Sequence, residues 1–344
     1  MRFAAYNIEH FDRAFTNQNV PELDHKRQKK DPLPQIEAVG KVLSEIDADL
    51  IGITEAPNTA GSANAVKSTV ACLEAFAAQA GLRARKCVFG FNAGTQEIAV
   101  LYDPDSLDVT HKPSGTAGSK KSPRFDEPFL YDADEDGLQE LHKHDRPPLE
   151  VHVERKDGGA PMDLFVVHAK SKGIFNSVDL VHLERTSRRN RLRLFAQAVS
   201  IRERVDRLLV DDARVMVMGD INDGPGMDEH EAKFGRSAVE IIMGDLFEPE
   251  KILRCYAGRP KWKRFGWEPS TTRFFDQITE DPINAMIDLI MTSQSIKPAG
   301  EDAYRIWNPY EMWTKKQREA PENKSLFEAL TSASDHFPVS FDFD

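Results

Sequence analysis

The stretch that most constrains this chain is VMVMGDINDG, Val215 to Gly224. Four apolar residues run straight into Gly219 and Asp220, the pattern of a buried strand that stops at a polar tip. On an extended backbone Asp220 and Asn222 project from one face, because strand side chains alternate with a period of two. An ionised Asp only accepts hydrogen bonds, whereas an Asn amide both donates and accepts. Such a pair suits a site that holds a water or cation together with a phosphate oxygen. Asp223, Gly224, Pro225 and Gly226 then turn the chain away. The same residues also suit a strand ending in an ordinary Asx-type turn, so the decision falls to the rest of the chain.

The layout recurs. Arg2 to Ile8 is a short apolar strand with Asn7 near its end, and Ala48 to Glu55 is another, closing on Glu55. Asp163 to His168 ends on His168 and leads into a basic loop with Lys170 and Lys172, which favours an anionic ligand. Met286 to Met291 is an apolar strand with Asp288 inside it, and a carboxylate there is costly unless it is paired. Asp335 and His336 precede a final strand, Val339 to Phe343. Glu97 opens a strand that runs to Tyr102, joined to a strand over 84–91 by a turn around Asn92 to Gly94.

Between the strands the period changes. Ile36, Val39, Val42, Leu43 and Ile46 have helical spacing, predicting a helix over 34–46. Further helices are expected over 63–80, ended by Gly81, over 183–209 and over 232–243. The opening of the 183–209 helix holds Arg185, Arg188, Arg189, Arg191 and Arg193, either a solvated basic face or a source of an arginine that reaches phosphate. Residues 111–146 have little periodicity and are expected to form long surface loops. Their run Asp132, Asp134, Asp136, Gly137 is spaced like a calcium loop but lacks the Glu that an EF-hand needs. Leu149 to Val153, after Pro147 and Pro148, is expected to be an edge strand. Residues 260–275 mix Lys261, Lys263, Arg264 and Arg273 with Trp262, Phe265 and Trp267; such residues can stack nucleic-acid bases, or the rings can pack in the core.

Bulk properties narrow the class. With 344 residues, 40% hydrophobic and 29% charged, the chain suits a globular fold with a sizeable core. A net charge of -11 argues against indiscriminate binding to nucleic acid. Three widely spaced cysteines give neither a disulfide framework nor a zinc pattern. No apolar stretch is long enough to span a bilayer, and no signal sequence opens the chain, so a cytoplasmic location is expected. No linker or internal repeat divides it. The polar strand tips are spread from end to end, so a single domain over 1–344 is expected.

Taken together, AAYNIEHF, DADLIGITEAPN, TQEIAVLYDP, FVVHAKSKG, VMGDINDGPG, IDLIMTS and SDHFPV make the chain resemble the endonuclease/exonuclease/phosphatase superfamily, typified by pancreatic deoxyribonuclease, abasic-site endonucleases and neutral sphingomyelinases. The segments come in that family's order and span essentially the whole chain, and two of them look most like bacterial nuclease-like members. The resemblance implies an α/β fold, a four-layer sandwich of two packed, mainly antiparallel sheets flanked by helices. It implies a Mg²⁺- or Mn²⁺-dependent phosphoesterase, with Asn7, Glu55 and Asp335 at the metal. Asp220 would activate water, Asn222, His168 and His336 would hold the phosphate, and Asp288 would orient His336. Glu97 falls where some members place an acid that orients His168, and Lys170 and Arg191 are possible phosphate contacts. Leu289 departs from the family, which often has His, Tyr or Gln there. Nucleic acid, DNA first, is the expected substrate. The alternatives are a small phosphate ester or lipid headgroup and, from another class, a non-catalytic binding protein on this fold.

Overall fold

The computed structural model describes residues 1–59, 67–174, 179–224, 229–257, 269–275 and 282–344. Two six-stranded sheets dominate. The first has the order β15 (Tyr304–Ile306), β16 (Val339–Asp342), β1 (Arg2–Asn7), β2 (Leu50–Ala56), β4 (Glu97–Tyr102) and β3 (Lys86–Phe89). The second has the order β11 (Arg254–Cys255), β14 (Asp288–Thr292), β10 (Val215–Asp220), β9 (Met162–His168), β8 (Leu149–Arg155) and β5 (Leu107–His111). Each sheet has one parallel pair, β1 with β2 and β9 with β10; the other neighbours are antiparallel. Outside the sheets, β6 (Phe129–Tyr131) pairs with β7 (Glu140–His142), and β12 (Phe274–Phe275) with β13 (Pro282–Ile283).

Strand alternation sorts the side chains into layers. Phe3, Ala5, Leu164, Val166, Met216, Met218, Ile290 and Phe341 fill the space between the sheets. Their neighbours Ala4, Tyr6, Ile51 and Ile53 face α1 (Gln35–Ile46), α2 (Thr69–Ala80) and α8 (Pro321–Ala333). Phe165, Val167, Val215, Val217, Leu289 and Met291 face α3 (Leu180–Val210) and α5 (Ala238–Met243). Each large apolar side chain buried this way contributes about 1.5–3 kcal/mol. The result is the four-layer arrangement of helices, sheet, sheet, helices.

The helices begin and end where local chemistry dictates. Asp179 caps α3 by accepting from His182 N at 2.7 Å, so that helix opens ahead of the expected residue 183. Residues 232–243 do not form one helix. Gly235, with φ 78°, separates α4 (Glu229–Phe234) from α5, and Ser237 with Glu240 forms a capping box at the new start. Two short helices, α6 (Pro309–Met312) and α7 (Lys315–Glu319), precede α8.

Two other expectations are corrected. Leu149–Arg155 is not an edge strand: β8 pairs with both β5 and β9, and Pro147 and Pro148 precede its first ladder position. The 111–146 segment is not all loop, since it holds the β6–β7 ribbon. The expected 63–80 helix opens later, at Thr69, where the Ser68 side chain caps it by accepting from Ala71 N; residues 63–66, the turn at Pro225 and Gly226, and Lys261, Trp262, Lys263, Arg264, Phe265 and Trp267 lie outside the described residues. Among the described residues no helix is long and apolar enough to cross a membrane.

Candidate active site

The inter-sheet face of each central strand runs on by one step to a polar residue. Phe3 and Ala5 lead to Asn7, Leu164 and Val166 to His168, and Met216 and Met218 to Asp220, while Asp288 stands one step before Ile290. Register does the rest. Asp220 lies opposite His168 on the parallel neighbour β9 and opposite Asp288 on the antiparallel neighbour β14. Gly219 permits the close approach. Its φ is 126°, and a Cβ there would meet the Val167 carbonyl oxygen at 2.2 Å. Across the gap between the sheets, Asn7 Nδ2 donates to Asp220 Oδ2 at 3.0 Å. His168 Nε2 lies 3.5 Å from the same oxygen.

His336 enters from the loop between α8 and β16. Ser334 holds that loop: its Oγ donates to Asn7 O at 2.8 Å and accepts from His336 N at 3.1 Å. His336 Nδ1 is 2.8 Å from Asp288 Oδ2, and both residues are buried. The buried Asp288 thus has the partner its cost demanded.

Burial and these pairings set the protonation states. Burial disfavours charge on His336, but the charge and hydrogen bond of Asp288 outweigh it and lift the pKa to about 10. Burial pushes His168 well below its usual value, with Arg146 and His336 adding to the effect. Burial, then the charge of Asp288, raises Asp220 to about 7, against the pull of His336, the Asn222 N–H and Asn7. Asp335 rises to about 6, chiefly through burial. At neutral pH the site therefore pairs an imidazolium, His336, with a neutral imidazole, His168, around a carboxyl group that titrates near 7.

Glu55 arrives differently. The alternation that places Leu50 and Gly52 inward is broken by a bulge between Ile53 and Ala56, and Glu55 takes the left-handed φ of 57°. Its Oε2 accepts from His10 N at 2.9 Å. It borders a cleft of about 320 Å³ lined by His10, Asp12, Arg13, Asn58 and Gln96. The donors suit a hard divalent cation. Among the described residues, Asn7 Oδ1 is a buried amide oxygen without a hydrogen-bond partner, and Asp288 Oδ1 is in the same condition. Ligand atoms of Asp220, Asp288 and His336 also lie within 4.8 Å of one another.

Several expected placements are corrected. Asn222 does not share an extended face with Asp220. The strand ends at Asp220, and Asn222 has φ 54°. Its N–H caps Asp220 Oδ1 at 2.8 Å, an Asx turn, and its Nδ2 donates to Ala169 O at 3.0 Å. Glu97 makes no hydrogen bond to His168. In β4 it follows the phase of Ala99 and Leu101, which face the helices; its carboxylate accepts from Ala93 N at 2.8 Å and Gly94 N at 3.0 Å. Among the described residues nothing pairs with His168 Nδ1. Lys172 is engaged internally, donating to Asp223 Oδ1 at 2.7 Å and Glu231 Oε1 at 3.0 Å. Lys170 Nζ donates to Ser171 O at 3.0 Å, and Arg191 turns back to Ser187 on its own helix.

The cation that abuts the cluster is Arg146, which the sequence reading missed. It donates to His168 O at 3.2 Å, Ala169 O at 2.7 Å and Gln96 Oε1 at 2.6 Å. Burial lowers its pKa and the charge of Asp220 works the other way. Its one signal was a lone arginine directly before the Pro147–Pro148 start of a strand, and no periodicity marks it.

No protein-family model matches the chain, and no curated protein does. Several solved structures align with the chain along its whole length. An endonuclease/exonuclease/phosphatase family protein from Bacteroides thetaiotaomicron aligns at 13% identity over 100% of this chain and 97% of that one, TM-score 0.49. A mannosyl-6-phosphatase from the same organism aligns at 14% over 100% and 99%, TM-score 0.49. TDP2 from D. rerio, complexed with single strand DNA product, aligns at 12% over 100% and 98%, TM-score 0.49. The functional reading rests on the site itself and not on these likenesses.

Proposed function

We propose that the chain is a divalent-metal-dependent phosphoesterase, one catalytic domain over residues 1–344, that hydrolyses phosphodiester bonds in nucleic acid, with DNA as the first substrate. The observation that carries this is geometric: the buried Asp220 carboxyl group accepts from Asn7 Nδ2 at 3.0 Å, lies 3.5 Å from His168 Nε2 and stands opposite Asp288, the partner of His336. A general base works best with a pKa near the working pH, and burial provides that here. Asp220 takes a proton from the attacking water. Protonated His336, its ring fixed by Asp288, holds or donates to a phosphoryl oxygen. Neutral His168 offers a ring N–H without adding charge. The Asn222 amide, with a second hydrogen on Nδ2, holds another phosphate oxygen. Asn7, Glu55 and Asp335 would hold Mg²⁺ or Mn²⁺, which supplies Lewis-acid neutralisation of phosphoryl charge.

The test is hydrolysis of plasmid DNA, single-stranded DNA, RNA, bis-p-nitrophenyl phosphate and p-nitrophenyl phosphate by wild type and Asp220→Ala, in Mg²⁺, Mn²⁺ or EDTA. Metal-dependent cleavage of DNA that the variant loses is the expected result. Full activity in EDTA overturns the metal requirement. A second reading, a phosphodiesterase or phosphatase for small molecules or lipid headgroups, is favoured by the net charge of -11. It predicts turnover of the nitrophenyl esters alone and a weak dependence on salt, where a nuclease loses affinity steeply as salt rises.

A further inference from the structure

An open groove of about 700 Å³ lies between α3 and α4, lined by Val181, Arg185, Arg188, Arg189, Lys233 and Asp134. We propose that this groove is the arm of the substrate site that carries the polynucleotide backbone away from the scissile phosphate; the proposal rests on the nuclease reading above.

In a chain with a net charge of -11, four cations gather on one wall pair against Asp134 and Glu184. Arg188 is neutralised by Asp134 at 2.9 Å. Arg185, Arg189 and Lys233 are exposed and have no ion pair of their own among the described residues. Arg185 and Arg189 are four residues apart on one helix face, about 6 Å along the axis. Among the described residues the lining adds Val181 and Leu192 to these cations, so the groove offers charge to phosphates.

The walls of the groove are fastened to the loops that leave the site strands. Asn190, next to Arg189, donates to Gly173 O at 3.0 Å, and Gln197 Oε1 accepts from Lys170 N at 2.9 Å. Both contacts tie α3 to the loop that leaves His168. The other wall is tied by Lys172, on that same loop, which binds Asp223 on the loop leaving Asp220 and Glu231 on α4. The groove is therefore framed by the two elements clamped to the loops after the catalytic strands, and a strand seated on His168 and Asp220 would continue into it. This also accounts for Lys172: it positions a wall of the groove.

The experiment compares wild type with Arg185→Ala/Arg189→Ala/Lys233→Ala on single-stranded DNA of increasing length and on bis-p-nitrophenyl phosphate, each across a salt series. The expected result is a KM for long strands raised on the order of tenfold, with kcat little changed. The slope of log affinity against log salt should be shallower by about 2, from roughly 0.7 per lost phosphate contact. Turnover of the small diester should be unchanged, which also shows that the variant folds. The charge-conserving Arg185→Lys/Arg189→Lys variant should keep the salt slope. If wild type cleaves DNA and the triple variant has the same KM and slope, the groove assignment is wrong although the nuclease reading survives. If wild type cleaves only the small esters, the nuclease reading fails and takes the groove assignment with it.

Discussion

The two parallel strand pairs, β1 with β2 and β9 with β10, occupy equivalent places in their sheets, yet they deliver different chemistry. The first ends in an amide and a carboxylate, Asn7 and Glu55. Glu55 stands on a strained bulge at the mouth of a cleft, its side chain 12% exposed. The second ends in His168 and Asp220, whose side chains are 4% and 2% exposed. The Asp288–His336 pair, with side chains 1% and 7% exposed, stands behind them. In the proposed mechanism one side would offer oxygens to a hydrated cation, whereas the other keeps titratable groups dry, where burial and neighbouring charge move protons. On that reading a strand-tip carboxylate takes its role from what covers it: Asp220 is sealed between the sheets, whereas Glu55 borders a cleft.

If that division is right, the largest effect comes from the dry side. Asp220→Asn should lower kcat on the order of 10²–10⁴-fold, and raising the metal concentration should not restore it. Recovery with added metal would move Asp220 to the other class. Glu55→Gln should instead shift the metal dependence, raising the concentration for half-maximal activity about 10–100-fold, with much of kcat recovered at saturation. A metal titration of steady-state rates reads both, and an unchanged midpoint for Glu55→Gln would erase the contrast.

Stability sharpens the same comparison. Gly219→Ala, forced into φ 126° against the Val167 carbonyl oxygen, should cost at least about 1–3 kcal/mol. Gly81→Ala, at φ 65° with nothing within 4 Å, should cost about 1 kcal/mol. Urea midpoints for the two variants measure this, and equal losses would mean that the close approach beside Asp220 is not tight. A pH-dependent contrast comes from His144, behind the second sheet, which burial drives to a pKa of about 3. An unfolded histidine takes its proton near 6.5. Between pH 6.5 and 3 the unfolded chain binds more protons, so stability should fall as pH falls, by at most about 1.4 kcal/mol per pH unit from this group. His144→Phe should flatten that slope in denaturation curves taken from pH 7 to 4.

Much of this was legible in the chain. Strands such as VMVMGD and DLFVVH announce themselves because a sheet packed on both faces needs continuous apolar runs, and their polar ends stand out against that background. The residue types at those ends already spoke for phosphate-ester chemistry. Local sequence also fixed the break at Gly235 and the cap at Asp179, although the larger helical period hid both.

What only the tertiary structure decided follows from register and burial, which no single segment contains. Pairing of β10 with β9 and β14 put Asp220 opposite His168 and Asp288. The phase of β4 turned Glu97 away, and a bulge turned Glu55 toward its cleft. Arg146 became part of the site because two carbonyls and a glutamine from other segments converge on it. Proton affinities were set last, since they depend on the summed field of residues distant in sequence and on how completely water is excluded.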